Sequence, residues 1–222
     1  MEIVLAKSAG FCFGVRRATQ MAFDAASKHE NICSLGPVIH SPQVVKGLAE
    51  QGVKVVSKVE DIPPGSVIVR SHGITSEEME KIHESNLTIV DATCPFVKKA
   101  QEYAARLCDE GYTVVIVGEM EHPEVQGIVS YAGEALVHVV ADAHQASALP
   151  RMKKVGIVAQ TTQLYENLKE IMDVGLANSQ ELRIYNTICD ATSVRQNEAR
   201  EIALDVDLMF VIGGHASANT SR

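Results

Sequence analysis

Residues 90–118, VDATCPFVKKAQEYAARLCDEGYTVVIVG, carry the pattern that decides the fold. A short apolar run closes on Cys94, and Pro95 follows at once, suited by its fixed φ to the first turn of a helix. Apolar residues then recur at helical spacing over 95–110. A glycine turn follows, and then an uninterrupted apolar run, 113–118, ending on Gly118. Strand, cysteine, helix and strand in that order predict one turn of a parallel α/β architecture.

The unit recurs. Cys12 precedes Gly36 by 24 residues, Cys94 precedes Gly118 by 24, and Cys189 precedes Gly213 by 24. A histidine follows shortly after each glycine, in LGPVIH (His40), VGEMEH (His122) and IGGH (His215). The second and third cysteines share a vocabulary, DATC and CDAT. Units one and two also have a third strand-like run with a polar end, VIVRSHGIT with Ser71 and His72, and GIVAQTTQ with Gln160 and Thr161. The sequence stops at Arg222 before such a segment appears in unit three. Internal repetition on this scale reads as stacked or symmetric units. The expectation is three related α/β units, 1–94, 95–188 and an incomplete 189–222. Strands are predicted at 2–6, 31–34, 53–56, 66–70, 87–91, 113–118, 136–140, 154–159, 182–185 and 207–212. Helices are predicted at 14–28, 42–51, 76–85, 95–110, 124–132, 163–177 and 193–204.

Composition narrows the function classes. With 222 residues, 46% hydrophobic, a packed interior is within reach. Mean hydropathy is +0.04 and the pI about 5.5. A net charge of −8 disfavours a general nucleic-acid binder. No apolar run suits a membrane span and the start resembles neither a signal nor a transit peptide, so the reading is cytoplasmic. Five cysteines without CxxC point to thiols or ligands rather than a disulfide framework. Cys33 and Cys108 fall outside the repeat and read as packing. His29, His83, His138 and His144 read as surface residues, and Arg16 and Arg17 as a solvated helix face. GGHAS is not a dinucleotide or Walker motif.

Ligands in open α/β sheets lie beyond the carboxyl ends of strands. Three units around an axis would therefore gather Cys12, Cys94 and Cys189, each at a helix N-terminus whose partial charge favours thiolate. Catalytic zinc is one reading of three sulfurs with an open position, but such sites use more nitrogen and oxygen. A cubane iron–sulfur cluster normally takes four cysteines. Held by three, it keeps one iron open to act as a Lewis acid on a substrate oxygen. His40, His72 and His122, each after a strand end, would form an anion-binding ring, with Thr161, Ser217 and Asn219 as further donors. Glu124 is a candidate proton donor, or alternatively a solvated residue of a first helical turn.

The stretches GFCFGVRRA, VIHSPQVV, RSHGIT, DATCP, HPEVQG, AQTTQ, ICDATSVRQ and SANT resemble, in order, the motifs of the 4-hydroxy-3-methylbut-2-enyl diphosphate reductase (LytB) family. The resemblance implies a pseudo-threefold trefoil around a [4Fe–4S] cluster held by Cys12, Cys94 and Cys189. It implies a diphosphate held by His40, His72, His122, Ser217 and Asn219. Glu124 would deliver protons, and Thr161 would help position the substrate hydroxyl. The implied reaction is reductive removal of that hydroxyl as water, giving isopentenyl and dimethylallyl diphosphate, with electrons from a ferredoxin or flavodoxin. Two departures stand out. Ala218 replaces a serine often found there, and the family continues beyond SANTSR. The expectation is therefore a shortened third unit with an exposed apolar edge and weakened substrate binding. A fragment that binds without turnover and an iron–sulfur hydro-lyase are the alternatives.

Overall fold

The computed structural model describes residues 2–133, 136–214, 217 and 220. It contains two four-stranded sheets, parallel throughout and identical in order. The first unit runs α1 (Phe13–Ala26), β1 (Ile32–Leu35), α2 (Pro42–Glu50), β2 (Lys54–Val56), a 3-10 turn (Val59–Asp61), β3 (Ser66–Val69), α3 (Ser76–Glu84) and β4 (Thr88–Asp91). The second runs α4 (Pro95–Asp109), β5 (Thr113–Val117), α5 (Pro123–Ala132), β6 (Val137–Val140), α6 (Ala143–Ser147), β7 (Met152–Ala159), α7 (Tyr165–Asn178) and β8 (Ser179–Ile184). Helix α8 (Asp190–Asp205) comes after the second sheet is complete. The sheet orders are β2-β1-β3-β4 and β6-β5-β7-β8. The stretches read as the first and second units thus share one topology, while among the described residues 189–222 contributes no strand.

Both faces of each sheet are covered, which explains why the strands read as continuous apolar runs rather than alternating ones. On β5, Val114 and Ile116 pack with Ala100, Ala104 and Leu107 of α4. Val115 and Val117 point the other way, onto Leu168 and Ile171 of α7. In the first sheet, Ala18 and Ala22 of α1 cover one face and Ile82 of α3 the other. Small alanines on α1 and α4 let those helices approach their sheets closely. That brings the cysteines at their N-termini to the carboxyl edge of the strands.

Two predicted strands do not form. Residues 2–6 are irregular, with Ile3 and Leu5 each 81% exposed, and 207–212 are irregular, with Ile212 94% exposed. Both have β-type composition, but among the described residues neither finds a ladder partner, and a lone strand leaves its backbone groups unpaired. Leu208, Phe210, Val211 and Ile212 of that stretch are exposed. The short helix α6 has no counterpart among the predicted helices; Asp142 caps it by accepting from the Gln145 N–H at 2.8 Å. No helix among the described residues is long and apolar enough to cross a membrane.

Candidate functional site

Each of the three repeat cysteines is the N-cap residue of a helix: Cys12 of α1, Cys94 of α4 and Cys189 of α8. The polar ends of the third strand-like runs set the next cysteines. The Cys94 N–H donates to the Ser71 carbonyl at 3.0 Å, and the Cys189 N–H to the Thr161 carbonyl at 2.9 Å. Helix α8 is tied to the other two units. Glu198 accepts from the backbone N–H of Lys7 at 2.6 Å and of Ser8 at 2.8 Å. Arg195 donates to the Gly10 carbonyl at 3.2 Å, and Arg200 pairs with Glu166 at 2.9 Å. Arg17 is also more than a solvated face: its guanidinium donates to the Thr93 carbonyl at 3.2 Å, linking α1 to the loop before Cys94.

These ties bring the thiols together. A Cβ built on Gly14 would lie 2.5 Å from Cys94 Sγ and 3.9 Å from Cys12 Sγ, so only glycine leaves room at that point. The Cys94 thiol is pushed up from its ordinary pKa, mainly by burial, with Cys189 and Cys12 adding to the rise. Cys189 is raised by burial too, and again by Cys12. The helix N-termini do act in the expected direction, since the N–H groups of Phe96 and Val97, and of Ala191 and Thr192, lower the two values. Burial outweighs them. A cationic centre bound among the thiols would invert the balance at Cys94 and Cys189 and favour their thiolates, because its charge outweighs the cost of burial. No group of three His, Cys, Asp or Glu among the described residues closes on a single ion. The donor set, three sulfurs from three segments with two of them at the space beside Gly14, fits a larger iron–sulfur unit. Cys33 is buried and Cys108 packs against the second core, as expected for inert thiols.

Three of the predicted histidines form a cluster. The rings of His40 and His72 are 4.1 Å apart, those of His72 and His122 5.8 Å, and those of His40 and His122 6.0 Å. His122 Nδ1 accepts from the Glu124 N–H at 3.1 Å, which leaves its proton on Nε2. His40 Nε2 and His72 Nδ1 are buried with no hydrogen-bond partner among the described residues. A buried polar nitrogen left so costs about 1–3 kcal/mol. Burial, together with the neighbouring histidines and Arg70, holds His72 well below its ordinary value; burial and Arg70 lower His40. Gly214 and Ser217 come alongside: a Cβ on Gly214 would lie 3.3 Å from the His40 carbonyl oxygen, and the Ser217 N–H donates to the Gly214 carbonyl at 3.0 Å. Asn219 and Ala218 lie outside the described residues.

Glu124 is not a solvated helix residue. It is 2% exposed, although it lies in the first turn of α5. Its Oε1 accepts from the Thr161 N–H at 2.6 Å and its Oε2 from the Thr161 hydroxyl at 2.9 Å. The Thr161 carbonyl meanwhile accepts from Cys189. One threonine therefore joins the buried carboxylate to the thiol centre.

Sequence reasoning missed the residues that set the distance between units. Gln101 of α4 wedges its amide between Gly73, beside His72, and Gly127, beyond Glu124; Cβ atoms there would meet its Nε2 at 2.9 and 3.0 Å. The Ser130 hydroxyl accepts from the Ser76 N–H at 3.0 Å, and the Ser76 hydroxyl donates to the Ser130 carbonyl at 3.1 Å. The glycines are visible in the sequence, but nothing local marks what fills the space they leave.

Fold and site define a class: a parallel α/β protein with two sheets of the same topology, thiols at three helix N-termini and a cluster of three half-buried histidines. The LytB protein family model matches residues 3–222. The chain is 66% identical over 222 residues to a protein of Syntrophotalea carbinolica, covering 100% of this chain and 80% of that one. It is 62% identical over 222 residues to one of Geobacter sulfurreducens, covering 100% and 78%. Both are named 4-hydroxy-3-methylbut-2-enyl diphosphate reductase. A solved structure titled as (E)-4-hydroxy-3-methyl-but-2-enyl diphosphate reductase, terminal enzyme of the non-mevalonate pathway, superposes with a TM-score of 0.79 at 42% identity, over 99% of this chain and 79% of that one. The Plasmodium falciparum E-1-hydroxy-2-methyl-but-2-enyl-4-diphosphate reductase structure gives 0.88 at 28%, over 96% and 68%. The chain belongs to the LytB family, as its motifs indicated.

Proposed function

We propose that this chain carries out the reductive dehydroxylation of 4-hydroxy-3-methylbut-2-enyl diphosphate to isopentenyl and dimethylallyl diphosphate. The observation that carries the reading is the combination of three helix-capping thiols, a half-buried histidine cluster and a buried carboxylate, in a chain of this family. The balance is R–OH plus two electrons and two protons giving R–H and water. Cys12, Cys94 and Cys189 would hold a [4Fe–4S] cluster, which when bound supplies the electrons and a Lewis-acid iron. A ferredoxin or flavodoxin is the donor class. Of the proposed units, 1–94 carries Cys12 and Cys94 and 189–222 carries Cys189, while 95–188 carries Glu124 and Thr161.

The chain's own residues do the rest. His122 donates from Nε2, and His40 Nε2 and His72 Nδ1 supply buried nitrogens to the diphosphate, with Ser217 and Asn219 adding donors. Holding the diphosphate fixes the far end of the substrate, so its hydroxyl reaches one place only, near Thr161. Burial excludes water from that place. In its protonated form Glu124 donates to the Thr161 hydroxyl, reversing that hydrogen bond, and the hydroxyl passes its own proton to the departing oxygen.

The test is iron and acid-labile sulfide per chain after anaerobic reconstitution, then turnover with and without a reductant. A full cubane complement with reductant-dependent product supports the proposal. Water loss without reductant would favour a hydro-lyase, and binding without product a binding-only protein.

The histidines give a second expectation. In the free protein His40 and His72 titrate below 6.5, so both are neutral at pH 7. Unfolded histidines take up protons below about pH 6.5 while these two do not. Their contribution to stability is therefore complete above that pH and declines as pH falls toward their folded values. A polyanion in the pocket raises both values, so binding of inorganic pyrophosphate should take up protons. Calorimetry near pH 7 in two buffers of different ionisation enthalpy measures this; equal heats would remove the histidines from the binding step.

A further inference from the structure

The strand end that delivers His72 also delivers Arg70, and this residue sits behind the histidines rather than in solvent. Its Nε donates to the Gly73 carbonyl at 3.0 Å. Its guanidinium fills the space where Gly36 lacks a side chain, with Nη1 2.7 Å from where a Cβ would be. Gly36 has φ +71° and Gly73 φ +77°, so both flank Arg70 in turns that favour glycine. One turn leads to His40 and the other follows His72. Arg70 thus brackets the two rings that lie 4.1 Å apart.

Arg70 also makes no ion pair within 4 Å among the described residues. Glu78 raises its pKa through space, yet burial wins and lowers it. The Glu78 carboxylate is already engaged as acceptor for the Thr75 N–H at 2.9 Å, in the capping box of α3. A partly buried guanidinium without a carboxylate at contact distance is costly unless an anion compensates it. It is also the cation best suited to phosphate oxygens.

We infer that Arg70 is a positioning and charge residue of the diphosphate pocket: it locks the turns that carry His40 and His72 and supplies the fixed positive charge behind them. The inference rests on the histidine cluster being the anion site. At neutral pH His40 and His72 are neutral donors, so Arg70 is the permanent charge that makes the pocket attract a polyanion and not merely hydrogen-bond it. Its charge also opposes protonation of the same two rings, together with His122 in the case of His72. Removing it therefore has two effects of opposite sense.

The experiment compares the reconstituted parent chain, Arg70→Met and Arg70→Lys, each verified as folded by circular dichroism and thermal melting. Inorganic pyrophosphate is the probe, titrated calorimetrically at low and at high salt. His72→Ala serves as control for the pocket itself. Arg70→Met is expected to weaken pyrophosphate binding about tenfold at low salt, less at high salt, with Arg70→Lys keeping most of the affinity. In the ligand-free protein, NMR of labelled histidines should show His40 and His72 titrating at higher pH in Arg70→Met, a shift that a purely structural residue would not produce. Parental affinity in folded Arg70→Met, or equal weakening in Arg70→Lys, overturns the charge role. If His72→Ala loses pyrophosphate while Arg70→Met does not, only the role of Arg70 falls. If the parent itself does not bind pyrophosphate, the reading of the pocket falls and this inference with it.

Discussion

Glu124→Gln is expected to lower turnover by about two to four orders of magnitude while iron and sulfide per chain stay at the parental level. The proposed reaction consumes two protons, and Glu124 is the buried carboxyl group hydrogen-bonded to Thr161. Both its oxygens are occupied by Thr161, at 2.6 and 2.9 Å. Glutamine keeps the shape and one acceptor oxygen for the Thr161 N–H, and the hydroxyl can turn to accept from the new amide. The fold and the thiol centre are therefore retained, and only the exchangeable proton is lost. Alanine would be a poor test, because an empty space beside the Thr161 N–H would disturb the backbone that holds Cys189. Anaerobic turnover with a chemical reductant, set beside iron content and pyrophosphate affinity, reads the result. Parental turnover in Glu124→Gln would remove the carboxylate from proton delivery.

Substituting any one of Cys12, Cys94 or Cys189 by alanine should reduce bound iron and sulfide to about a tenth of parental or less, while Cys33→Ala and Cys108→Ala keep the full complement. A centre held by three thiolates has no spare ligand among the described residues. Cys33 is 2% exposed in the middle of β1 and Cys108 lies on the packed side of α4, so neither can replace a missing ligand without unfolding its unit. Iron analysis and visible absorption after anaerobic reconstitution make the comparison. Loss of iron in Cys33→Ala with retention in Cys94→Ala would overturn the ligand assignment. The same experiment tests whether the chain, which covers 80% and 78% of the two bacterial relatives, assembles the centre.

The two sheets were legible because buried parallel strands and amphipathic helices leave strong, separate periods in the chain. Pro42 and Pro95 mark helix starts, and the helices begin there. The failures at 2–6 and 207–212 share one cause. Strand propensity is a property of the residues, but a strand exists only where another strand accepts its hydrogen bonds. Glu124 shows the same limit at the site. Its sequence position, the first turn of a helix, suits a solvated carboxylate as well as a buried one, and only the docking of Thr161 decides between them.

The sequence by itself determined the α/β class, the repeat, the three equivalent cysteines and the histidines at strand ends, because local periodicity and spacing are written along the chain. Tertiary structure alone decided what those residues meet. Cys94 hangs from Ser71 and Cys189 from Thr161, Arg70 fills the gap left by Gly36, and Gln101 separates Gly73 from Gly127. Each of these contacts joins separate elements of the fold. Its geometry is set by how closely helices pack on sheets, a quantity that no local pattern encodes.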